Sequence, residues 1–457
     1  MNAAEYKKSI KNKKISVVGV GVSNVPLIKF LLEGGAKVCA HDKRTPEQLG
    51  EVYDELKELG AEFVLGDHYL KNIPDDTEII FKTPGLRPDA SELLEAKKRG
   101  VEISSEMELF FELCPCRIIA VTGSDGKTTT TSLIGEMLKK EGYNCYIGGN
   151  IGKPLMGEVE KMTDKDMVVL ELSSFQLFSM KHSADIAVVT NVTPNHLDWH
   201  KDFDEYVAAK KNIFKNNKDC RVILNFDNDV TRKFAEEIGD SMYFSRKHCL
   251  EEGITVKDGK IIIKADGEER QIISVGDIKI PGLHNVENYM AAIGAVYPFV
   301  SAETIDYIAK NFGGVPHRIE LVRTLDGVRY YNDSIASSPA RTTAGLKSFD
   351  QKVVLIAGGY DKKIPFDEFG AVVNEHVKEL VLVGVTSEKI EAAVKGAQNY
   401  QGLKIHRETE FEAAVKRAKE CALNGDVVLL SPACASFDLF DNFEKRGDAF
   451  KQIVNSF

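Results

Sequence analysis

Residues 118–131, IIAVTGSDGKTTTT, pass from a short β-rich apolar run through two glycines into TSLIGEMLKK, whose apolar residues recur at helical spacing. Strand, glycine turn and helix in that order make a phosphate cradle. Gly123 and Gly126 let the backbone turn its N–H groups toward an anion, and a helix starting near Lys127 adds the positive end of its dipole. The Lys127 ammonium reaches the outer phosphates, and Thr128 offers a hydroxyl to Mg2+. The spacing departs from the usual G-x-x-x-x-G-K pattern because Val121 stands five before Gly126, which leaves the shorter T-G-x-x-G-K-T. A plain strand-to-helix turn is the competing reading; the flanking strand and helix favour phosphate.

At 457 residues the chain exceeds a single core, and two to four domains are expected. A net charge of −10, from 59 basic and 69 acidic residues, argues against nucleic acid as the main partner. No window approaches 18 apolar residues, and the start MNAAEYKKSIKNKK has no apolar core after its lysines, so neither a membrane span nor a secretory signal is expected. The eight cysteines are scattered without a C-x-x-C pair, which fits a reducing cytoplasm. Cys114 and Cys116, separated by one proline, read as incidental thiols.

The chain before the cradle alternates strand and helix. Strands are predicted over 14–20, 36–42, 62–65, 78–82 and 101–103, and helices over 23–32, 46–59 and 90–99. Gly19-Val20-Gly21-Val22-Ser23-Asn24 is a G-x-G-x-x-N variant of the dinucleotide fingerprint, and Asp42 lies near the distance at which an acidic residue meets a ribose. With the third glycine missing, a nucleotide or diphosphate pocket is favoured over NAD. Thr83-Pro84-Gly85 follows a strand, where open sheets bind ligands and where a simple turn is the alternative. The stretch around Leu113-Cys114-Pro115 breaks the alternation and reads as a domain junction.

Past the cradle, Asn150 sits in the glycine-rich GGNIG. The apolar strand predicted over 166–172 runs into Glu171, a carboxylate costly to bury unpaired and well suited to a hard cation. Another strand, 186–190, ends in NVTPNHLD, where His196 is a candidate metal ligand or a turn histidine. A helix predicted over 203–215 carries Lys210 and Lys211. A hairpin-rich patch follows at 250–280, then a helix over 284–295 and renewed alternation beyond Gly313-Gly314.

TGSDGKTTT, VLELSSFQL, NVTPNHLDWH, YVAAKKNIF, GLHNVENYMAA and PHRIE, in this order, resemble the Mur ligases of peptidoglycan synthesis. GGNIGKP, YNDSIASSP, GGYDKKIPF and LLSPACASFDLFDNFEKRG resemble the branch of that family that attaches D-glutamate to UDP-N-acetylmuramoyl-L-alanine. The resemblance implies an α/β chain of three domains. Residues 1–113 would be a Rossmann-like domain for the UDP-sugar, 114–314 a central ATPase with a mostly parallel sheet, and 315–457 a Rossmann-like domain closing on ATP and D-glutamate. It implies an ATP-dependent amide ligase working through an acyl phosphate, two Mg2+ ions, a carbamylated Lys210, and a monomeric cytoplasmic enzyme of cell-wall biogenesis.

Residue by residue, the resemblance assigns catalysis to Lys127, Glu171, His196 and Lys210, and metal binding to Thr128, Glu171, His196 and Lys210. ATP falls to Gly123, Asp125, Gly126, Lys127, Thr128, Thr129, Asn285, Asn288, Arg318 and Asp333, with helix capping the alternative for the two asparagines. The UDP-sugar falls to Val22, Ser23, Lys43, Arg44, Thr83, Asn150 and His196, and D-glutamate to Ser337, Lys362, Ser436, Phe437 and Phe443. The chain departs from the family pattern at Ile335, where a lysine is usual, and at Ser337, Phe437 and Trp199. A folylpolyglutamate synthetase, a Mur ligase for another amino acid, a nicotinamide oxidoreductase and a non-catalytic binding protein are the alternatives. The first fits the N-terminal segment poorly, the second the LLSPACAS tail, and the third leaves Lys127, Glu171 and His196 without work.

Overall fold

The computed structural model describes residues 1–265, 267–362 and 364–457. They form two compact units, residues 1–274 with 287–308 and residues 275–286 with 309–457.

The first unit holds two sheets. β1 (Lys14–Val18), β2 (Lys37–Asp42), β3 (Glu62–Leu65), β4 (Ile79–Lys82) and β5 (Glu102–Ser104) are parallel, in the order β3-β2-β1-β4-β5. Near-continuous apolar runs such as KISVV suit strands buried on both faces, and the helix Asn24–Glu33 covers one face with Leu27, Ile28 and Leu31. The chain leaves β1 toward β2 and returns to β4 on the other side. That reversal opens a crevice at the strands' carboxyl ends. The helix expected over 46–59 is broken at Gly50 (φ +56°) into Pro46–Leu49 and Glu51–Glu58, because a left-handed residue cannot continue the spiral.

The second sheet contains β6 (Arg117–Thr122), β7 (Cys145–Gly149), β8 (Met167–Glu171), β9 (Ile186–Val189), β10 (Arg221–Asn225), β11 (Ser241–Ser245), β12 (Gly253–Lys257), β13 (Lys260–Ala265) and β14 (Glu268–Ser274). Their order is β14-β13-β12-β11-β10-β9-β6-β8-β7, parallel from β12 to β7, with β13 and β14 forming an antiparallel meander. β6 lies between β8 and β9, so the residues that leave these three strands emerge side by side. The helix expected to reach residue 215 is Phe203–Lys211; there the Asn212 amide turns to the carbonyls of Leu177 and Phe178, and the chain leaves the spiral.

The second unit is built on β15 (Glu320–Leu325), β16 (Val328–Asn332), β17 (Val353–Ala357), β18 (Val377–Val383), β19 (Lys404–Glu408) and β20 (Val427–Leu430). The order is β15-β16-β20-β17-β18-β19, antiparallel only between β15 and β16. The fully buried Val353–Ala357 and Val427–Leu430 runs are its central strands.

Candidate active site

The phosphate loop joins β6 to the helix Lys127–Glu141. Both glycines are required by their surroundings. Gly123 has φ +151°, and a Cβ there would lie 1.9 Å from Thr190 Oγ1; Gly126 has φ +80°, and a Cβ there would lie 2.3 Å from Asn288 Oδ1. The loop is held from outside: Thr190 Oγ1 donates to Asp125 O (2.6 Å), Asp125 N donates to Asn191 Oδ1 (3.0 Å), and Ser124 Oγ donates to Thr193 O (2.9 Å). No side chain caps the helix, so its first N–H groups keep the anion-binding character of a helix start. Lys127 Nζ curls back to the carbonyls of Gly123 (3.1 Å) and Ser124 (3.0 Å), over the loop it serves. Thr128 is buried just behind it, and Thr129 follows in the first turn.

Beside this loop stand a buried acid and a buried base. Glu171, at the end of β8, is 2% exposed; its Oε1 accepts from Asn150 Nδ2 (3.0 Å), and its Oε2 has no hydrogen-bond partner among the described residues. A buried carboxylate oxygen with nothing to accept from is expensive, and a cation answers it. Lys210 is 1% exposed, its Nζ donating to Gly123 O (2.7 Å) and Thr122 Oγ1 (3.3 Å) with the Tyr206 ring 4.7 Å away. Burial, and then the neighbouring Lys127 ammonium, push the Lys210 amine well below the ordinary lysine range. Hard oxygen donors at Thr128 and Glu171 beside an amine whose charged form is disfavoured by burial fit a Mg2+ and triphosphate site.

His196 is exposed, with φ +54°, a conformation rare for a non-glycine residue and frequent at functional turns. Its ring lies 4.9 Å from Phe175, and partial desolvation of the ring lowers its basicity against the opposing pull of Asp198. The loop that carries it is fastened to the first sheet. Arg87 pairs through both terminal nitrogens with Glu205 (3.1 Å each), donates to Trp199 O (2.6 Å) and stacks over the Trp199 ring (4.8 Å), while Trp199 Nε1 donates to Gly85 O (3.0 Å).

At the carboxyl ends of β1, β2 and β4 the structure gathers Val22, Ser23, Lys43, Arg44 and Thr83. Val22 is 80% exposed, and Thr83 packs against Gly19, where a Cβ would meet it at 3.1 Å. Asp42 does not face open solvent as a ribose acceptor would. Its carboxylate accepts from Val20 N (2.8 Å), Arg44 N (3.0 Å) and the Arg44 guanidinium. Burial alone would raise this carboxyl; Arg44 and the two amides outweigh it and hold it at about 2. Arg44 Nη2 also donates to Val20 O (2.8 Å), so the pair stiffens the turn after β1.

In the second unit, Asp333 follows β16 and is 4% exposed, accepting from Ser431 Oγ (2.7 Å) and Ile319 N (3.3 Å). Burial pushes its carboxyl up to about 7, against the pull of Ser431 and Arg318. Lys362 Nζ donates to Ser337 Oγ (3.5 Å), Ser436 is buried, Phe437 is exposed against Tyr360 (5.9 Å), and Phe443 O accepts from Ser334 Oγ (2.8 Å). Asn285, whose amide donates to Pro281 O, and Asn288, whose Oδ1 accepts from Thr130 Oγ1 (3.4 Å), lie one turn apart on the helix Leu283–Val296.

Sequence profiles described as "Mur ligase MurD-like, N-terminal domain", "Mur ligase middle domain" and "Mur ligase, glutamate ligase domain" match residues 13–105, 121–296 and 317–434. The UDP-N-acetylmuramoylalanine–D-glutamate ligase of Acetivibrio thermocellus is 54% identical over 99% of this chain and 98% of its own length. The chain belongs to the Mur ligase family. Ligases of the same name from Ruminiclostridium cellulolyticum and Clostridium perfringens are 50% and 49% identical, each over 99% of this chain and 98% of their own length. Among solved Mur ligase structures, the UDP-N-acetylmuramate–alanine ligase of Thermotoga maritima superposes with a TM-score of 0.58 at 20% identity, covering 97% of this chain and 99% of that one, a likeness of fold. Mur ligases use ATP and Mg2+.

Two parts of this Mur ligase escaped the reading of its residues. Arg87 carried no motif, and Trp199 stood out only as a departure; their mutual contact depends on loops 112 residues apart in sequence. Arg446 lay inside FEKRG without a role. It is 3% exposed, donating to Ser334 Oγ (3.0 Å), Ser334 O (2.9 Å), Cys434 O (3.1 Å) and Ala435 O (3.1 Å), and so ties the loop after β16 to the loop after β20.

Proposed function

We propose that the chain is the ATP-dependent ligase that joins D-glutamate to UDP-N-acetylmuramoyl-L-alanine, with residues 1–113 taking the nucleotide sugar, 114–314 the ATP and 315–457 the amino acid. The observation that carries the chemistry is the meeting, beside one glycine loop, of Lys127, a buried amine at Lys210 and a buried Glu171 oxygen with no donor among the described residues. The full-length likeness to ligases of that name carries the choice of substrates.

A carboxylate has too poor a leaving group to react with an amine. One oxygen of the alanyl carboxylate attacks the γ-phosphorus of ATP, the bond to ADP breaks, and an acyl phosphate forms. The D-glutamate amine then attacks the acyl carbon, phosphate departs with the C–O bond pair, and the amine gives up a proton. Every approach in this sequence brings anions together, so positive charge is what the protein must supply. Lys127 and the N–H groups of Gly126 and the helix start carry the outer phosphates, with Gly123, Asp125 and Thr129 shaping the loop. Mg2+ held by Thr128 and Glu171, and a second ion near His196 and Lys210, would add charge that lets carboxylate and triphosphate meet. Lys210 is carbamylated in this reading: its neutral amine adds to CO2, loses a proton and becomes an anionic oxygen donor. The neutral form favoured by burial is the form that can react.

By resemblance to the family, Asn285, Asn288, Arg318 and Asp333 are further nucleotide contacts, with Arg318 on phosphate. Val22, Ser23, Lys43, Arg44 and Thr83 hold the UDP end, and Asn150 and His196 the muramoyl-alanine end. For D-glutamate, Lys362 meets a carboxylate, and Ser337, Ser436, Phe437 and Phe443 line the rest. Ile335 cannot repeat a lysine's charge. Arg341 Nη1 donates to Ile335 O (3.4 Å), and in our reading this guanidinium takes the lysine's place. The enzyme acts on small molecules, as a cytoplasmic monomer, without nucleic acid or membrane; among the described residues no helix is long and apolar enough to cross a bilayer.

Phosphate release that requires ATP, D-glutamate and UDP-N-acetylmuramoyl-L-alanine together is the test. Release with L-glutamate, L-lysine or diaminopimelate instead, or none with any amino acid, would overturn the assignment.

A further inference from the structure

Far along the sequence from the phosphate loop, three potential ligands from three elements converge. Glu379 lies on β18, His406 on the edge strand β19, and Cys421 is the last residue of the helix Phe411–Cys421. In the register of these parallel strands Val381 pairs with His406 and Glu379 with Lys404, so Glu379 and His406 are diagonal neighbours on one face. The helix ends over that same face. Glu379 Oε2 is 2.9 Å from His406 Nε2, Cys421 Sγ is 3.5 Å from the same nitrogen, and all three ligand atoms lie within 4.8 Å of one another. Among the described residues no other group of three such side chains meets that closely.

We propose that Glu379, His406 and Cys421 form a binding site for a borderline-soft divalent cation of the zinc class, independent of the ligase reaction. Metal–ligand bonds of about 2.0 Å to nitrogen and about 2.3 Å to sulfur, set at tetrahedral angles, separate the two ligand atoms by about 3.5 Å. The Nε2–Sγ separation already has that value. A single ring nitrogen facing both a carboxylate oxygen and a sulfur can donate one proton to one of them; with a cation at the centre it gives a lone pair instead, and all three groups are satisfied at once. Imidazole and thiolate select zinc-like ions over Mg2+, and three protein ligands leave the fourth position to water. On binding, the Cys421 S–H bond breaks, the sulfur's electron pair goes to the metal and one proton is released to solvent.

The surroundings leave the ligand atoms available. Lys404 Nζ sits on the other oxygen of Glu379, Oε1, at 3.4 Å, while the nearby Arg417 is spent on Glu408 and Glu420. All three ligands are half-buried, so an ion can enter from solvent and still be partly shielded. The site would pin the outermost strand of the sheet to the helix above it. Edge strands need such fastening.

The test uses the full chain, stripped with a chelator and titrated with Co2+. One equivalent should raise a near-ultraviolet thiolate-to-cobalt charge-transfer band that Zn2+ then bleaches. Cys421→Ser should abolish the band, and His406→Gln should weaken binding about tenfold or more. Stoichiometric Zn2+ should raise the thermal midpoint of the parent by several degrees and leave Cys421→Ser unmoved, while the metal-free midpoint and ligase rate of that variant report that it has folded. No band at stoichiometric Co2+, or a band that survives in Cys421→Ser, would overturn the proposal, because seven other cysteines could then be responsible.

Discussion

The turn after β1 and the turn after β6 use one backbone device for two purposes. Each follows a buried parallel strand, each bends on a glycine with positive φ, and each sits where its sheet reverses direction. Around Gly19 the charges cancel: Asp42 and Arg44 pair with one another and with the turn's own amide and carbonyl, and the result is a rigid cradle. Around Gly123 the ties that hold the charged groups run instead to backbone carbonyls and an amide side chain. Lys127 lies over the loop, Lys210 is buried beside it, and Glu171 keeps an oxygen without a donor among the described residues. In the proposed reading, the glycine turn sets where an anion rests, and the groups on the neighbouring strands set whether it is held or made to react.

The comparison breaks most sharply at Lys127. Replacing it with alanine should lower kcat by about a thousandfold, the scale of losing a preorganised charge at a developing anion, with the thermal midpoint little changed. An undiminished rate of amide formation would sink the mechanism. Lys210→Ala should come next, with a loss of about a hundredfold in turnover and partial rescue by acetate or another small carboxylate; full activity at low bicarbonate without rescue would refute the carbamate. Gly126→Ala forces a left-handed residue's Cβ into Asn288, and KM for ATP should rise about tenfold or more while KM for the nucleotide sugar stays within twofold.

Arg44→Met probes the quiet turn. It removes a charge-assisted pair worth about 1.5–3 kcal/mol before solvent screening of the half-exposed guanidinium, so KM for the nucleotide sugar should rise by about tenfold or less, with kcat kept. The smallest effect is on pH. Asp42 titrates at about 2 in the folded chain, below an unfolded value near 4, so its contribution to stability is present above pH 4 and lost as pH falls from 4 to 2. Asp42→Asn should flatten that acid-side loss, as followed by chemical denaturation at each pH.

Much of the local structure of the candidate site was legible in the chain because local chemistry dictates it. A glycine turn between an apolar run and an amphipathic segment has few other folds, and carboxylate or histidine at the end of an apolar strand signals the open edge of a parallel sheet. What escaped legibility was pairing across long separations. Asp42 looked like a ribose acceptor because its distance from the glycines suits that role; Arg44, two residues on, takes its oxygens instead. Arg446 and the Arg87–Trp199 contact were invisible for the same reason, since a buried guanidinium is chosen by carbonyls that loops bring to it. The helix expected over 46–59 overlooked a left-handed Gly50, and the one expected to reach 215 overlooked the use of Asn212 as a tie to another loop.

The sequence by itself determined the alternation of buried strands and amphipathic helices, the glycine loop and its lysine, because hydrophobic period and backbone freedom act over a few residues. Only the tertiary structure decided that β6 lies between β8 and β9, and with that order it set Glu171 and Lys210 around one loop. It also decided which charges are silent and which are available, since burial and the choice of partner are properties of the assembled sheets rather than of any one strand.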